Sequence, residues 1–415
     1  MIKQPCPNLS LLKSHPQWGL ANKIFQTLSE QGYETYLAGG CVRDLLLGLK
    51  PKDIDIATAA APAEIVKLFK RTINVGENFG VIRVAEDGQD IEVATFRKDG
   101  DYKDGRHPEA VIFSGPENDA QRRDFTINAL FLQPQQSEII DYVGGCADLA
   151  KRQIKTVGQA EKRFQEDHLR LFRAVRFTAQ LDFSIDATTW SAIQKNSSSI
   201  KTVSPERIRD ELSKLLNSPY ALKGLELFIT SGLFKALFGE PPPQTLKTWQ
   251  CLLPVTAKTN GFLWLAFFWP LLQSVKTPSE WELAKSQVRP TKDDERNFKI
   301  AQDFILGLSH WRQRRLGEKI LFLMEPVGAQ ILTFMAEQDP KWRSDLGELE
   351  TKLQGAHGGR PQIIAILKGQ DVTDLKGSER GRALHQGFLA QLEGAFKSRP
   401  EALSWLENYK KGPKA

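Results

Sequence analysis

Asp53 and Asp55 stand one residue apart in the run Lys52-Asp53-Ile54-Asp55-Ile56-Ala57-Thr58. On a β-strand, side chains two positions apart share a face, so the two carboxylates point one way while Ile54 and Ile56 point to the core. Carboxylates held that close repel, and a divalent ion relieves the repulsion. Hard oxygen ligands of this kind suit Mg²⁺, which keeps several waters and takes its remaining ligands from substrate phosphates. A lone Asp-x-Asp is equally what a solvated strand edge presents, so the surrounding residues decide. Upstream lies Leu37-Ala38-Gly39-Gly40-Cys41-Val42-Arg43-Asp44, a strand running through paired glycines into a helix. Gly39 and Gly40 let backbone N–H groups approach a phosphate, and Arg43 is a candidate phosphate clamp. Asp44 reads as a local helix charge. A third carboxylate has to come from a neighbouring strand, and Asp90-Ile91-Glu92-Val93-Ala94-Thr95 supplies one. Glu92 is preferred, because Asp90 follows Asp87-Gly88-Gln89 and reads as a turn residue.

A second group of polar residues is suited to reading a base. Asp167 and Arg170 are three residues apart in an apolar-periodic segment, so on a helix they share a face, and Arg173 and Arg176 extend the stripe. Ionised aspartate only accepts hydrogen bonds and arginine only donates them. Cytosine and adenine each present an amino donor beside a ring-nitrogen acceptor, which matches such a pair. Guanine and uracil present the reverse and would leave buried groups unpaired. The plainer alternative is a salt-bridged surface stripe.

The elements that must position these groups follow from patterning. The first third of the chain alternates short β-rich runs (ETYLAGG, DIDIAT, GVIRVAE, DIEVATF, AVIFSG, EIIDYVGG) with helical patterns such as VRDLLLGL and AEIVKLFK. From about Asp148 a 3.6-residue periodicity takes over, in AEKRFQEDHLRLFRAVRFTAQL, PERIRDELSKLL and ALKGLELFITSGLF. Breaks fall at Gly239 to Pro243 (GEPPP) and at His357 to Pro361 (HGGRP). The fold class is therefore α+β, with a small mixed-sheet head followed by an all-α remainder. At 415 residues the chain is long enough for two to four modules. Hydrophobic content of 41% and charged content of 26% are those of a globular protein, neither disordered nor membrane-embedded. The net charge of +6 leaves room for a polyanionic partner.

Cys6, Cys41, Cys146 and Cys251 form no C-x-x-C pair, so reduced cytoplasmic thiols are expected rather than a zinc site or disulfides. The N-terminal residues show no secretory h-region, and the most apolar stretch, Gly261 to Leu272, is too short to span a bilayer and reads as a buried helix. Trp249, Trp264, Trp269, Trp281 and Trp311 sit among Leu and Phe and read as core rather than as stacking platforms for bases.

The combination GG-x-VRDLLLG then DIDIAT resembles the signature of the DNA polymerase beta nucleotidyltransferase superfamily, in the class II form of bacterial CCA-adding enzymes and poly(A) polymerases. The resemblance continues through KDGDYKDGRHPE (98–109), RRDFTINAL (122–130), EDHLRLFRAVRF (166–177) and SPERIRDELSKLL (204–216). It implies an elongated molecule with a catalytic head (1–147), a helical neck for nucleotide selection (148–220), a helical body (221–340) and an RNA-binding helical tail (341–415). It also implies a Mg²⁺ site on Asp53 and Asp55 assisted by Glu92, and attack of an RNA 3′-hydroxyl on the α-phosphate of a nucleoside triphosphate. Asp167 and Arg170 become the amino-acid template for CTP and ATP, and Arg173 and Arg176 triphosphate contacts. Arg122, Arg123, Asp124 and Asn128 match the motif joining head to neck; Asp124 is expected to couple the two parts and Asn128 to support the nucleotide site. Glu206, Arg207 and Arg209 match a further motif, where helix stabilisation is the expectation, and His168 is expected to do nothing chemical.

Within that family the reading is template-independent CCA addition to the tRNA 3′ end, without a membrane or a protein partner. The segment 97–109 looks full length, which disfavours a CC-only enzyme. The run Asn74 to Gly80 and the short terminal YKKGPKA depart from the poly(A) polymerase pattern. Poly(A) polymerase and A-only addition remain alternatives of the same class. From another class, an RNA-binding protein with an inactive head conflicts with the intact set Asp53, Asp55 and Glu92. The six histidines form no His-Asp pair, so no phosphohydrolase module is expected.

Overall fold

A computed structural model describes residues 1–76, 80–100, 111–259, 262–275, 277–357 and 363–412. They fall into two compact units, Met1–Pro241 with Gln287–Arg289, and Pro242–Ser286 with Pro290–Ala415. The expected break at Gly239 to Pro243 coincides with the first boundary.

The first unit begins with ten strands: β1 (Ile2–Pro5), β2 (Thr35–Ala38), β3 (Asp55–Thr58), β4 (Thr72–Gly76), β5 (Val81–Glu86), β6 (Gln89–Thr95), β7 (Arg97–Asp99), β8 (Val111–Phe113), β9 (Leu130–Gln133) and β10 (Glu138–Asp141). Eight form one sheet in the order β1-β10-β9-β2-β3-β6-β5-β4, and β7 and β8 make a separate ribbon. The sheet is mixed, as expected: β3 and β6 run parallel while their outer neighbours β2 and β5 run antiparallel to them. Central registers place Leu37 opposite Ile56 and Ile56 opposite Val93, a row of apolar side chains buried under the helix Trp18–Glu30. Ala38, Ala57, Phe96 and Phe131 build a second core cluster. Over β5 and β6 only one face is buried, and Arg83 and Glu92 stand on the open one, left to face a ligand.

Two local readings are corrected. The strand carrying the aspartates starts at Asp55, so Asp53 lies in the lead-in, although Ile54 and Ile56 are buried as the alternation requires. Asp90 is a strand residue opposite Ala85, because the turn is confined to Asp87 and Gly88. Their φ values of 50° and 77° are those of a two-residue hairpin turn.

The helices Ala160–Glu166, Leu169–Leu181, Ala187–Asn196, Pro205–Leu216, Ala221–Thr230 and Leu233–Phe238 complete the unit. Phe228 packs 4.8 Å from Phe172 and 5.8 Å from Phe234, ring centre to ring centre. The periodic segment after residue 160 is two helices rather than one. Asp167 adopts φ −147° and ψ 107°, and its carboxylate accepts the Leu169 N–H at 3.1 Å. A short acidic side chain thereby competes with the backbone and starts a second helix.

The second unit is helical throughout, from Thr245–Thr259 to Arg399–Lys411. Trp249, Trp269, Trp281 and Trp311 are buried, whereas Trp264 is half-buried and stacks on Phe268. The apolar stretch forms the helix Leu263–Ser274, whose residues Leu265 to Leu272 are buried. No single helix among the described residues is long and apolar enough to cross a membrane.

Candidate active site

A cleft of about 1170 Å³ in the first unit is lined by Gly39, Gly40, Arg43, Asp53, Asp55, Glu92, Arg123, Asp124, Asn128, Asp167, Arg170, Arg173 and Arg176. Every residue singled out above for chemistry or nucleotide binding therefore borders one space, although they come from five stretches of sequence. Arg83, Asp90, Arg122, Arg207, Phe177, Gln180 and Lys214 also line it. Its lining carries more basic than acidic side chains, as suits a polyphosphate ligand.

The carboxylates sit on adjacent parallel strands, Asp53 just before β3, Asp55 at its first residue and Glu92 in the middle of β6. Because Ile56 pairs with Val93, Asp55 of β3 is beside Glu92 of β6, whereas Asp90 lies two residues away along that strand. Burial, then the charges of Asp53 and Glu92, push Asp55 up to about 6 against the opposing pull of Arg123. A divalent cation would relieve that strain, and the donor set is the hard-oxygen one such an ion takes. Glu92 itself accepts from Arg83 at 2.7 Å, and Arg83 also pairs with Asp90 at 2.9 Å. As placed, no three acidic, His or Cys side chains among the described residues converge into a ready-made cage. Asp53 and Asp55 present the oxygen donors that such an ion takes, and Glu92 would have to leave Arg83 to join them.

Gly39 takes φ 75° at the start of the helix Gly40–Leu46, and a Cβ there would lie 3.0 Å from Arg123 Nη1. The turn needs glycine on both counts. Arg43 is buried rather than extended into the cleft: Nη2 pairs with Asp44 at 2.7 Å and Nη1 donates to Asn128 Oδ1 at 2.7 Å. Asp44, read as a helix charge, is thus the partner that holds Arg43, and burial raises its pKa in spite of that arginine. Asn128 Nδ2 donates to Asp124 Oδ1 at 3.4 Å, and Asp124 Oδ2 accepts from Arg173 Nε at 2.8 Å. Burial opposes ionisation of Asp124, but Arg173 and Arg170 outweigh it and hold its pKa at about 2. Arg176 Nε donates to Glu211 at 2.7 Å, and Nη1 donates to Gln180 at 2.6 Å. A continuous polar chain therefore runs from the helix Gly40–Leu46 to the helices Leu169–Leu181 and Pro205–Leu216.

Asp167 and Arg170 do not pair with each other. Arg170 is held by Glu166 at 2.7 Å and by the carbonyls of Arg163 and Arg122, while Asp167 is held by Arg207 at 2.9 Å. An acceptor and a donor thus border the cleft without being paired to each other. His168 only meets Thr202 Oγ1 at 2.7 Å.

Several partners were not singled out from sequence. Asp119 clamps Arg122 at 2.6 Å and Arg123 at 3.0 Å; its spacing of three and four residues before them was the available signal. Glu211 stands beside Leu212 on the buried side of its helix, and an acid on an apolar stripe was the hint. Nothing local connects Arg207 to Asp167 across 40 residues. Most of the segment 98–109, and positions 77–79 of the run 74–80, lie outside the described residues.

Residues 35–155 match the family of poly(A) polymerase head domains, and residues 182–245 match a probable RNA- and SrmB-binding site of polymerase A. The CCA-adding enzyme of Geobacillus kaustophilus is 45% identical over 225 residues, which are 54% of this chain and 55% of that protein. That of Latilactobacillus sakei is 44% identical over 221 residues, 53% of this chain and 55% of its own. The matches thus span about half the length of these curated relatives. Among solved structures, the Bacillus stearothermophilus CCA-adding enzyme in complex with CTP superposes with a TM-score of 0.68 at 29% identity, over 96% of this chain and 98% of that one. The Thermotoga maritima CCA-adding enzyme complexed with tRNA shares the fold, with a TM-score of 0.73 at 20% identity over 99% and 100% of the two chains.

Proposed function

We propose that this chain is a member of the family of CCA-adding enzymes and bacterial poly(A) polymerases that its first half resembles, and that it completes the 3′ end of tRNA by adding C, C and A from CTP and ATP. The observation that carries this reading is that Asp167 and Arg170 line the same cleft as Asp53 and Asp55. A base read by the first pair leaves its triphosphate within the space bordered by the second. The RNA 3′-hydroxyl attacks the α-phosphate and pyrophosphate leaves. Mg²⁺ on Asp53 and Asp55, assisted by Glu92, supplies Lewis-acid stabilisation of the phosphates and activation of the hydroxyl when bound.

The chain's own residues orient and discriminate. Asp167 accepts from the amino group of cytosine or adenine, and Arg170 donates to the adjacent ring nitrogen. Uracil and guanine set acceptor against Asp167 and donor against Arg170, and each mismatch leaves a partly buried group unpaired. Arg123, Arg173 and Arg176 offer the triphosphate the N–H donors that their carboxylate partners leave over, since a guanidinium carries about five. Asp124 and Asn128 keep the carboxylate end of the cleft in register with its base-reading end.

Residues 1–147 act as catalytic head, 148–220 as neck, 221–340 as body and 341–415 as RNA-binding tail. A cytoplasmic setting, in which its free cysteines stay reduced, suits the substrates. Incorporation of labelled CTP and ATP into tRNA transcripts that end before, within and after CCA tests the proposal.

A further inference from the structure

We infer that Arg207 is a positioning residue for base selection, acting through Asp167; this rests on the reading of Asp167 as base acceptor. Arg207 comes from the helix Pro205–Leu216 and borders the cleft. Its Nη2 donates to both carboxylate oxygens of Asp167, at 3.1 Å to Oδ1 and 2.9 Å to Oδ2. Asp167 lies in the break between two helices, where backbone geometry alone leaves its side chain free to rotate. The second restraint is the Leu169 N–H, 3.1 Å from Oδ1.

Counting acceptor positions gives the bridge its consequence. An ionised carboxylate offers about four, two on each oxygen. Arg207 and Leu169 occupy both positions of Oδ1, and Arg207 occupies one of Oδ2. The remaining position of Oδ2 has no partner among the described residues, on a side chain that is 19% exposed and borders the cleft. One open acceptor matches one exocyclic amino group. Without Arg207 only the Leu169 N–H on Oδ1 restrains the carboxylate, and the distinction between amino group and carbonyl weakens.

Only one nitrogen of Arg207 makes the contact, so a lysine can reproduce the bridge whereas a glutamine or alanine cannot. The Arg207 side chain is 26% exposed, so the fold is expected to tolerate its replacement, which the melting temperature of each variant checks. The test measures kcat and KM for CTP and for UTP on a tRNA transcript lacking CCA, with the full-length protein and the variants R207K, R207Q and R207A. R207Q and R207A are expected to lower the CTP-over-UTP ratio of kcat/KM by about tenfold, mainly through a higher KM for CTP, with R207K close to the parent. An unchanged ratio in R207Q and R207A, or a loss in R207K as large as theirs, overturns the inference while leaving the proposed function intact. A parent protein that shows no preference for CTP over UTP removes the reading of Asp167 itself, and this inference with it.

Discussion

Arg173 grips Asp124 through Nε at 2.8 Å and Nη2 at 2.6 Å, although 49 residues separate them. The pair joins the segment that follows the sheet-flanking helix Pro116–Arg122 to the helix that bears Arg170, and so fixes the carboxylate end of the cleft against the end that bears Asp167 and Arg170. Asn128 and Arg43 continue the link toward the glycine turn.

Replacing Asp124 with Asn should lower stability by about 2–3 kcal/mol at neutral pH, the magnitude implied by a pKa held near 2. A carboxylate with a lowered pKa stabilises above its unfolded value of about 3.9 and loses that contribution as pH falls toward its folded value. The difference between parent and D124N should therefore shrink between about pH 4 and pH 2 in denaturation experiments. A difference independent of pH would assign the effect to packing rather than charge.

Asp55 has the opposite sign. Its folded pKa of about 6 means that ionisation costs stability, a cost absent below about pH 4 and complete above pH 6. D55N should abolish nucleotide incorporation yet be more stable than the parent above pH 6 in EDTA, by at most about 3 kcal/mol. Excess Mg²⁺ should narrow that gap by stabilising only the parent. A gap between D55N and parent that is the same at pH 5 and pH 8 would show that Asp55 carries no such strain.

Much of the fold and site was legible in the sequence because the signals were local. Alternation exposed Asp53, Asp55 and Glu92, glycine pairing marked the turn at Gly39, and helical periodicity found the stripe of Arg170, Arg173 and Arg176. What was not legible depends on contacts between distant segments. Arg43 looked like a free clamp because Asn128 is 85 residues away, and Asp167 looked helical because its Arg207 partner lies on another helix. The partners Asp119 and Glu211 were overlooked although each had a spacing signal.

Glu211 accepts from Arg176 and Lys214 and lies near Arg173, with only 2% of its surface exposed. Removing one member of a buried ion pair strands the other, so E211A should cost about 3–5 kcal/mol. Urea denaturation measures it, and a loss below about 1 kcal/mol would mean that Arg176 is satisfied by Gln180 alone.

Gly39 tests the turn. A Cβ at φ 75° is strained and meets Arg123, so G39A should destabilise by about 1 kcal/mol or more and raise the KM for nucleotide. Unaltered melting and KM would remove the glycine from the site.

The most direct test of the central claim is to offer CTP and ATP, singly and together, to tRNA transcripts ending before CCA, after C and after CC, with an unrelated RNA alongside. The account predicts two Cs and one A, followed by a stop, on tRNA only. Long A tails on any RNA, or A added only to the CC-ended transcript, would contradict it.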